Sequence, residues 1–568
     1  MVQCRQVQLE EEDHMRISTL FVILVCLLLL VLVQGKAANA TPDVVEAHGP
    51  TVRASVSSGG GQSNADSSRP AVSADGRYVA FSSDANNLVS GDTNGVRDIF
   101  VYDRDTNTTQ RISIRTGGEQ GNSNSFSPVI SDDGRIVAFY SHASNLVSGD
   151  TNGRADVFAH DRQTGETTLM SVVLNGSGNG DSRDPDISGD GRYVVFSSTA
   201  SNLVGGDTNQ AEDIFRWDRY GLLMERISVD SNEAQANDYS RNPAINGDGQ
   251  RIVFTSDAGN LVAGDGNFTA DIFLRDTATG TTSRVSLTDG GGEANGTSWL
   301  PDISTSGQHI VFVSLATNLV SGDANGYADV FLRNTDTART RIISIATDGT
   351  QGNNWSEDPA ISGDGRYVAF DSFATSLSPG TSPDLRKLLI RDRNTDTLLL
   401  ASISTTGVIA NGGSREAAMA ANGRYVAFTS GASNLVANDT NGKADIFLHD
   451  YVGPPTLSVN HTIGAPGSYF VFSGANWAVN GTAVVQANGV TLGNVNSDGS
   501  GNLNFQIITS GSTQQGIYAI TVTQGSSQLS QSINVRAGAT VWPGSGSGFT
   551  LPNGIALDQF IYLPIIRR

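Results

Sequence analysis

Cysteine is almost missing from this chain of 568 residues: there are two, Cys4 and Cys26, and both precede residue 40. Beyond that point no disulfide holds the fold, and thiolate catalysis and cysteine-based metal sites are excluded. Cations are also scarce, with 36 Lys and Arg against 57 Asp and Glu, a formal net charge of −21. Such a balance argues against nucleic acid as a partner, because neutralising phosphates takes clustered Lys and Arg. Long apolar runs are lacking too, with one exception, "LFVILVCLLLLVLV" from Leu20 to Val33. That run has the length of a signal-peptide core and is short for a spanning helix, and Ala38-Asn39-Ala40 after it fits a small-x-small cleavage pattern. Residues 1–40 are expected to be a signal peptide, with Met15 the better start because Glu10 to Asp13 would make the leader acidic. Cleavage after Ala40 would leave a mature chain with no cysteine and no spanning segment.

What is present is turn chemistry. The chain has 64 Gly and many Asn, Asp, Ser and Thr, a composition for short strands joined by turns. A unit repeats through it. "SADGRYVAF" ends at Phe81, and counterparts end at Phe139, Phe196, Phe254, Phe312, Phe370 and Phe428, so that successive copies fall 57 or 58 residues apart. A fixed period of this size means one supersecondary unit used again and again. In the second unit four strand signals follow one another: a, "SPVIS" from Ser127; b, "RIVAFYS" from Arg135; c, "DVFAHD" from Asp156; and d, "TTLMSVV" from Thr167. Seven units of four strands predict an all-β fold, a seven-bladed β-propeller of antiparallel blades. The seventh unit lacks strand d after Val452, while "TVRASVSSGGG" from Thr51 matches "TQRISIRTGGE" from Thr109. The N-terminal strand is therefore expected to complete the last blade and close the ring.

"PVISDDGRIVAF", "DIFVYDR" and "TQRISI", in that order, resemble TolB-type propeller repeats, a WD-like family found in many exported bacterial proteins. The resemblance covers Thr51 to Val452. It implies the fold and a bacterial periplasmic, cell-surface or extracellular location. For function it implies only a range, from protein docking to polysaccharide handling to regulation of attached enzymes.

In a four-stranded meander the b–c and d–a connections leave on one face, and here these are the long ones. The loop-rich face is the expected working surface. Its b–c loops carry D-x-N-G-x-x-D or a close relative: Asp92, Asn94, Asp98; Asp150, Asn152, Asp156; Asp207, Asn209, Asp213; Asp265, Asn267, Asp271; Asp323, Asn325, Asp329; and Asp439, Asn441, Asp445. Oxygen-rich sets of this kind suit calcium, the one cofactor the sequence raises. The other reading is turn chemistry, with Asp and Asn bonding nearby backbone. The sixth unit, "GTSPDLRKLLI" from Gly380, has lost the first Asp and the Asn.

A Ser lies three residues before the strand-a Pro position in every unit, and the next position varies: Ser68, Phe126, Arg183, Arg241, Trp299, Glu357, Arg415. With strand a innermost, these d–a loop residues would ring the mouth of the central channel, with Tyr239 and Trp355 beside them. Phe126, Arg183, Tyr239, Arg241, Trp299, Trp355, Glu357 and Arg415 are the candidate ligand contacts, able to grip a sugar chain or a peptide. No catalytic residues stand out. The histidines share no ligand spacing, although His160 and His449 occupy matching strand-c positions.

Gly453-Pro454-Pro455 marks a linker, and alternating strands over 453–537 predict a small immunoglobulin-like β-sandwich. Residues 538–568 read as a Gly/Ser linker and a tail ending "FIYLPIIRR". The functional expectation is an exported binding scaffold that recognises protein or polysaccharide through the loop-rich face. The alternatives are a calcium-stabilised structural surface protein and a polysaccharide-active enzyme with its site at the channel mouth.

Overall fold

The computed structural model describes residues 45–551 except 47–48, 174–175, 379–380, 452–455, 478–480, 499–500, 525–526 and 545–547. The expected signal peptide and the end of the tail lie outside the described residues. Among the described residues no helix is long and apolar enough to cross a membrane.

From Thr51 to Asp450 the chain builds seven antiparallel sheets, here numbered 1 to 7 along the chain, each with strands a to d in spatial order. In sheet 2 the strands are Ser125–Ile130, Ile136–Ser141, Asp156–Asp161 and Glu166–Leu169. Sheet 7 takes strand d from the other end of the chain: Thr51–Arg53 pairs antiparallel with Asp445–Asp450, placing Arg53 opposite Phe447. A further N-terminal pair, Val45–Glu46, lies parallel to Thr397–Leu400 and makes sheet 6 five-stranded.

The repeated motifs explain themselves in the a–b turns. Asp133 accepts the Arg135 amide and the Ser131 hydroxyl, which tightens the turn. Gly134 then takes φ +71, and a Cβ there would sit 2.1 Å from the Tyr78 ring of sheet 1, so only glycine permits this approach. Arg135 reaches the Asp161 that ends strand c, Nη2 to Oδ2 at 2.7 Å. The same Arg–Asp pair recurs as Arg77–Asp103, Arg192–Asp218, Arg251–Asp276, Arg366–Asp392 and Arg424–Asp450. The recurring "DGR" and the acidic end of strand c are thus two halves of one clamp.

The core lies between sheets rather than within them. Strands b and c stack a Phe pair across the sheet, as in Phe139 with Phe158 at 6.0 Å, and sheet 2 packs these against Ala80, Ile99 and Val101 of sheet 1. Each neighbouring pair of sheets shares such a cluster, and the last joins Ile446 and Leu448 of sheet 7 to Val79 and Phe81 of sheet 1. Along the outer seam, strand d of one sheet bonds the d–a loop of the sheet before it: the Thr167 amide donates to Thr116 Oγ1 at 2.9 Å. His160 belongs to this seam, its Nδ1 2.9 Å from Thr167 Oγ1, and burial lowers its pKa to about 4. His449 makes the equivalent contact with Thr51 at 2.8 Å. Their matching positions are structural. The all-β, propeller-type architecture follows from these pairings.

Residues 456–551 form a second unit of two sheets, one of four strands and one of five. Phe470, Phe472, Phe505 and Leu503 of the first face Ala483, Tyr518, Ile520, Val522 and Ile533 of the second across one apolar core. Here the structure differs from the sequence reading, which ends the module at residue 537. Phe549–Thr550 adds a parallel strand to Leu503–Ile508, Leu551 is buried in the core, and Trp542 stacks on His461 at 3.6 Å. The Gly/Ser stretch hides this continuation, because a two-residue strand leaves no alternation to read.

Candidate functional site

Strand a of each sheet is innermost, and all seven converge on one cavity of about 280 Å³. Residues 126, 183, 241, 299, 357 and 415, assigned to loops from sequence, lie within strand a, because that strand starts at the recurring Ser, as in Ser125–Ile130. That Ser is buried, and its hydroxyl bonds a strand-b Ser, as Ser125 does with Ser141 at 2.9 Å.

Two positions later the ladder slips. Every strand a has a register shift, for example between Phe126 and Val129, which is a β-bulge. The residue inside it adopts a left-handed conformation in all seven sheets: Arg69 (φ 52), Ser127 (47), Asp184 (48), Asn242 (51), Leu300 (49), Asp358 (47) and Glu416 (56). These seven, with the Pro or Ala that follows each, line the cavity. Holding seven non-glycine residues at positive φ stores backbone strain at one ring, a pattern associated with binding sites. The ring offers mainly acceptors. Glu416 Oε2 accepts the Arg69 amide at 2.8 Å and the Thr429 hydroxyl at 2.8 Å. Burial raises the Asp184 pKa, with Arg69 and Arg183 acting against it.

The eight sequence-derived contacts do not line this cavity. The charged ones have partners on or beside their own sheet: Arg183 pairs with Asp181 at 3.0 Å, Arg241 with Asp257 at 2.9 Å, Glu357 with Arg386 at 2.6 Å, and Arg415 with Glu416 at 3.6 Å. Phe126 stacks on Tyr140 at 5.1 Å. Trp299 is half-buried opposite Val313, while Tyr239 and Trp355 are exposed. Arg386 also holds Asp371 at 3.2 Å and Asp358 at 3.7 Å. Burial pushes Asp371 up to about 9, with repulsion from Asp358 adding to it and Arg386 opposing. Sequence reasoning missed the ring by one residue. The signal was available, since the position before the Pro varies as much as the one chosen.

Deeper in the channel wall, Asp186 and Asp302 sit one residue past the Pro in sheets 3 and 5. Asp186 accepts the Ile245 amide of sheet 4 and Asp302 the Ile361 amide of sheet 6, each at 2.8 Å. Burial pushes them up to about 7 and about 6.

In the b–c loops each Asn is occupied. Asn94 Nδ2 donates to Asp98 Oδ2 at 2.9 Å while its Oδ1 accepts the Val96 amide, and Asn152, Asn209, Asn267, Asn325 and Asn441 repeat both bonds. The second Asp is fully buried and accepts a strand-d Ser hydroxyl, as Asp98 does from Ser113 at 2.5 Å. In the sixth sheet Lys387 stands there, donating to the Ser382 carbonyl at 3.0 Å. These bonds supply turn and strand-start chemistry; among the described residues no group of three or more His, Cys, Asp or Glu is arranged to hold a metal, so an ion in one of these loops would rest on the carboxylate pair alone.

No family model matches the chain, and no curated protein matches it. Solved structures do. A TolB-like protein from Agrobacterium tumefaciens is 17% identical over 49% of this chain and 79% of its own, with a TM-score of 0.32. Hydrazine synthase of Kuenenia stuttgartiensis is 13% identical over 66% and 94%, with a TM-score of 0.33. A prolyl endopeptidase is 8% identical over 73% and 55%, with a TM-score of 0.43. At TM-scores this low the likenesses carry no argument about activity, and the fold rests on the strand pairing itself.

Proposed function

We propose that the chain is an exported binding scaffold: a seven-bladed β-propeller that recognises protein or polysaccharide at the channel mouth on its loop-rich face, followed by an immunoglobulin-like sandwich that spaces or supports it. The observation that carries this reading is the ring of seven strained residues around one cavity. Their identities differ from sheet to sheet, while the scaffold residues behind them repeat. A rigid support with a varied rim is how a binding surface is built on a repeat fold. The rim is rich in acceptors, with Asp184, Asn242, Asp358 and Glu416 against Arg69, which suits a segment presenting hydroxyl or N–H donors. Export is the reading that the apolar run before Ala40 supports.

The test is a glycan array and a peptide library screened with the mature chain, followed by affinities of the hits for two variants. Asp184→Ala combined with Asn242→Ala is expected to weaken binding by about 10-fold or more, since each lost buried contact is worth roughly 1–3 kcal/mol. Trp299→Ala, outside the cavity lining, is expected to have the smaller effect. Hits whose affinity neither variant changes would place binding elsewhere.

A further inference from the structure

The six Asp-Asn-Asp loops differ in what balances their charge. Strand d places one residue opposite the strand-c Phe, and in four sheets that residue is Arg: Arg111, Arg226, Arg284 and Arg53. Arg111 Nη1 lies 3.0 Å from Asp92 and 3.5 Å from Asp98. Arg284 lies 3.1 Å from Asp265 and 3.2 Å from Asp271. Arg53 lies 3.1 Å from Asp439 and 3.6 Å from Asp445, and Arg226 reaches Asp213 at 4.0 Å. In sheets 1, 4 and 7 the guanidinium therefore lies within reach of both carboxylates, and in sheet 3 it approaches only the second.

Sheet 6 shows the same rule from the other side. Its strand d has Leu400 in the Arg position, and the acidic pair is gone as well, with Lys387 in place of the second Asp. Where the pair is lost, the Arg is lost with it. Sheets 2 and 5 break the rule: they keep both Asp residues but have Leu169 and Ile342 in the Arg position.

In sheet 2 neither a strand-d Arg nor a d–a loop Gln reaches the pair among the described residues. Asp156 is fully buried, accepting the Ser171 hydroxyl at 2.6 Å and the Asn152 amide at 2.7 Å. Asp150 is 7% exposed, and among the described residues its Oδ1 is buried with no hydrogen-bond partner, the Asn152 backbone amide being the donor that acts on the carboxylate. In sheets 3 and 5 a d–a loop amide helps, Gln235 donating to Asp207 at 2.8 Å and Gln351 to Asp323 at 3.3 Å. Sheet 2 has Ser177 at that point of the loop. A buried carboxylate pair without a counter-charge is costly, and neighbouring sheets show that the fold supplies a cation there when it can.

We propose that sheet 2 binds a hard divalent cation of the calcium class between Asp150 Oδ1 and the Asp156 carboxylate, in the place the Arg111 guanidinium takes in sheet 1. Two carboxylates and no nitrogen or sulfur donor select a hard ion, and water completes its shell. Sheet 5 is the weaker counterpart, because Gln351 already donates to Asp323. The proposal is independent of the binding reading above.

Calorimetric titration of the chelator-treated mature chain with calcium at pH 7 tests it, alongside thermal unfolding with and without the ion. About one tight equivalent per chain and a calcium-dependent rise in Tm are expected. Leu169→Arg installs the guanidinium of sheet 1. It should abolish the tight equivalent and raise the Tm of the metal-free chain. Asp150→Asn should abolish binding without adding a charge, and decides the matter alone if the Arg variant does not fold. Absence of calcium binding by the wild-type chain overturns the proposal. Tight binding that survives both substitutions overturns it too, by placing the ion elsewhere.

Discussion

The two ends of the channel obey opposite rules. On the tight-turn face six of the sheets use the same Arg–Asp clamp, and sheet 5 replaces it with His309 and Asn334, 3.1 Å apart. At the loop-rich mouth the backbone is just as uniform, with a bulge and a positive φ in every sheet, yet no two of the seven side chains are the same pairing of charge and size except Asp184 and Asp358. Repetition of the side chain marks a role in holding sheets together. Repetition of the backbone with a free side chain marks a place where the scaffold is finished and something else is addressed.

That contrast can be broken by substitution. The largest loss is expected in the shared core: Phe312→Ala removes one of a fully buried Phe pair, stacked on Phe331 at 6.0 Å, and should cost about 3–5 kcal/mol in chemical denaturation. Next comes the buried clamp. Arg366 and Asp392 have side chains 9% and 8% exposed, so Arg366→Ala leaves an unpaired buried carboxylate and should cost about 3 kcal/mol.

The outer clamp and the channel wall should also part company with pH. Arg135 holds the Asp161 carboxyl down at about 2, so its stabilisation is present above the ordinary value near 3.8 and is lost as pH falls towards 2. Asp186 and Asp302 have the opposite sign: raised to about 7 and about 6, they hold their protons in the folded chain after the unfolded chain has released them. Stability should therefore fall as pH rises from about 4 to about 7, and Tm measured with Asp186→Asn combined with Asp302→Asn should show a flatter decline over that window.

Smaller effects follow at the rim and the exposed clamps. Leu300 sits at φ 49, where Asn242 already stands in sheet 4. Leu300→Asn should raise stability by roughly 0.5–1 kcal/mol, because Asn tolerates this region and Leu does not. Arg135 has a side chain 41% exposed, and Arg135→Ala should cost clearly less than Arg366→Ala, because solvent screens the pair. An Arg135 effect as large as that of Arg366 would show that the clamp acts by geometry rather than by burial.

The sheets were legible in the sequence because each repeat prints the same evidence: Phe at a fixed period, "DGR" before it, and a strand d found only at Thr51 for the last unit. The rim was legible only as a neighbourhood. Alternation along strand a, counted from Phe126, does not reveal that the ladder slips before Val129, and the slip is what turns Ser127 and its counterparts inward. The Asp-Asn-Asp loops were found at once, but their meaning depends on a strand-d residue about 13 positions further on in sheet 1, Arg111 against Asp98. In sheet 7 that residue is Arg53, near the opposite end of the chain from Asp445. Spacing within a loop cannot show a partner that arrives through the sheet.

Thr51 and His449, in contact at 2.8 Å, are 398 residues apart in sequence. The strand that closes the ring is therefore made before any of the seven sheets is complete, and its partner only after the other six. During synthesis the early sheets can pair locally as they emerge, while Thr51–Arg53 waits with its hydrogen-bonding edge unfilled until Asp445–Asp450 arrives. Closing so long a loop is slow compared with forming any one sheet. A chain cut short at any point before Asp445 would keep an open seam between its first and last sheets, and the order of manufacture makes completeness a condition of the closed state.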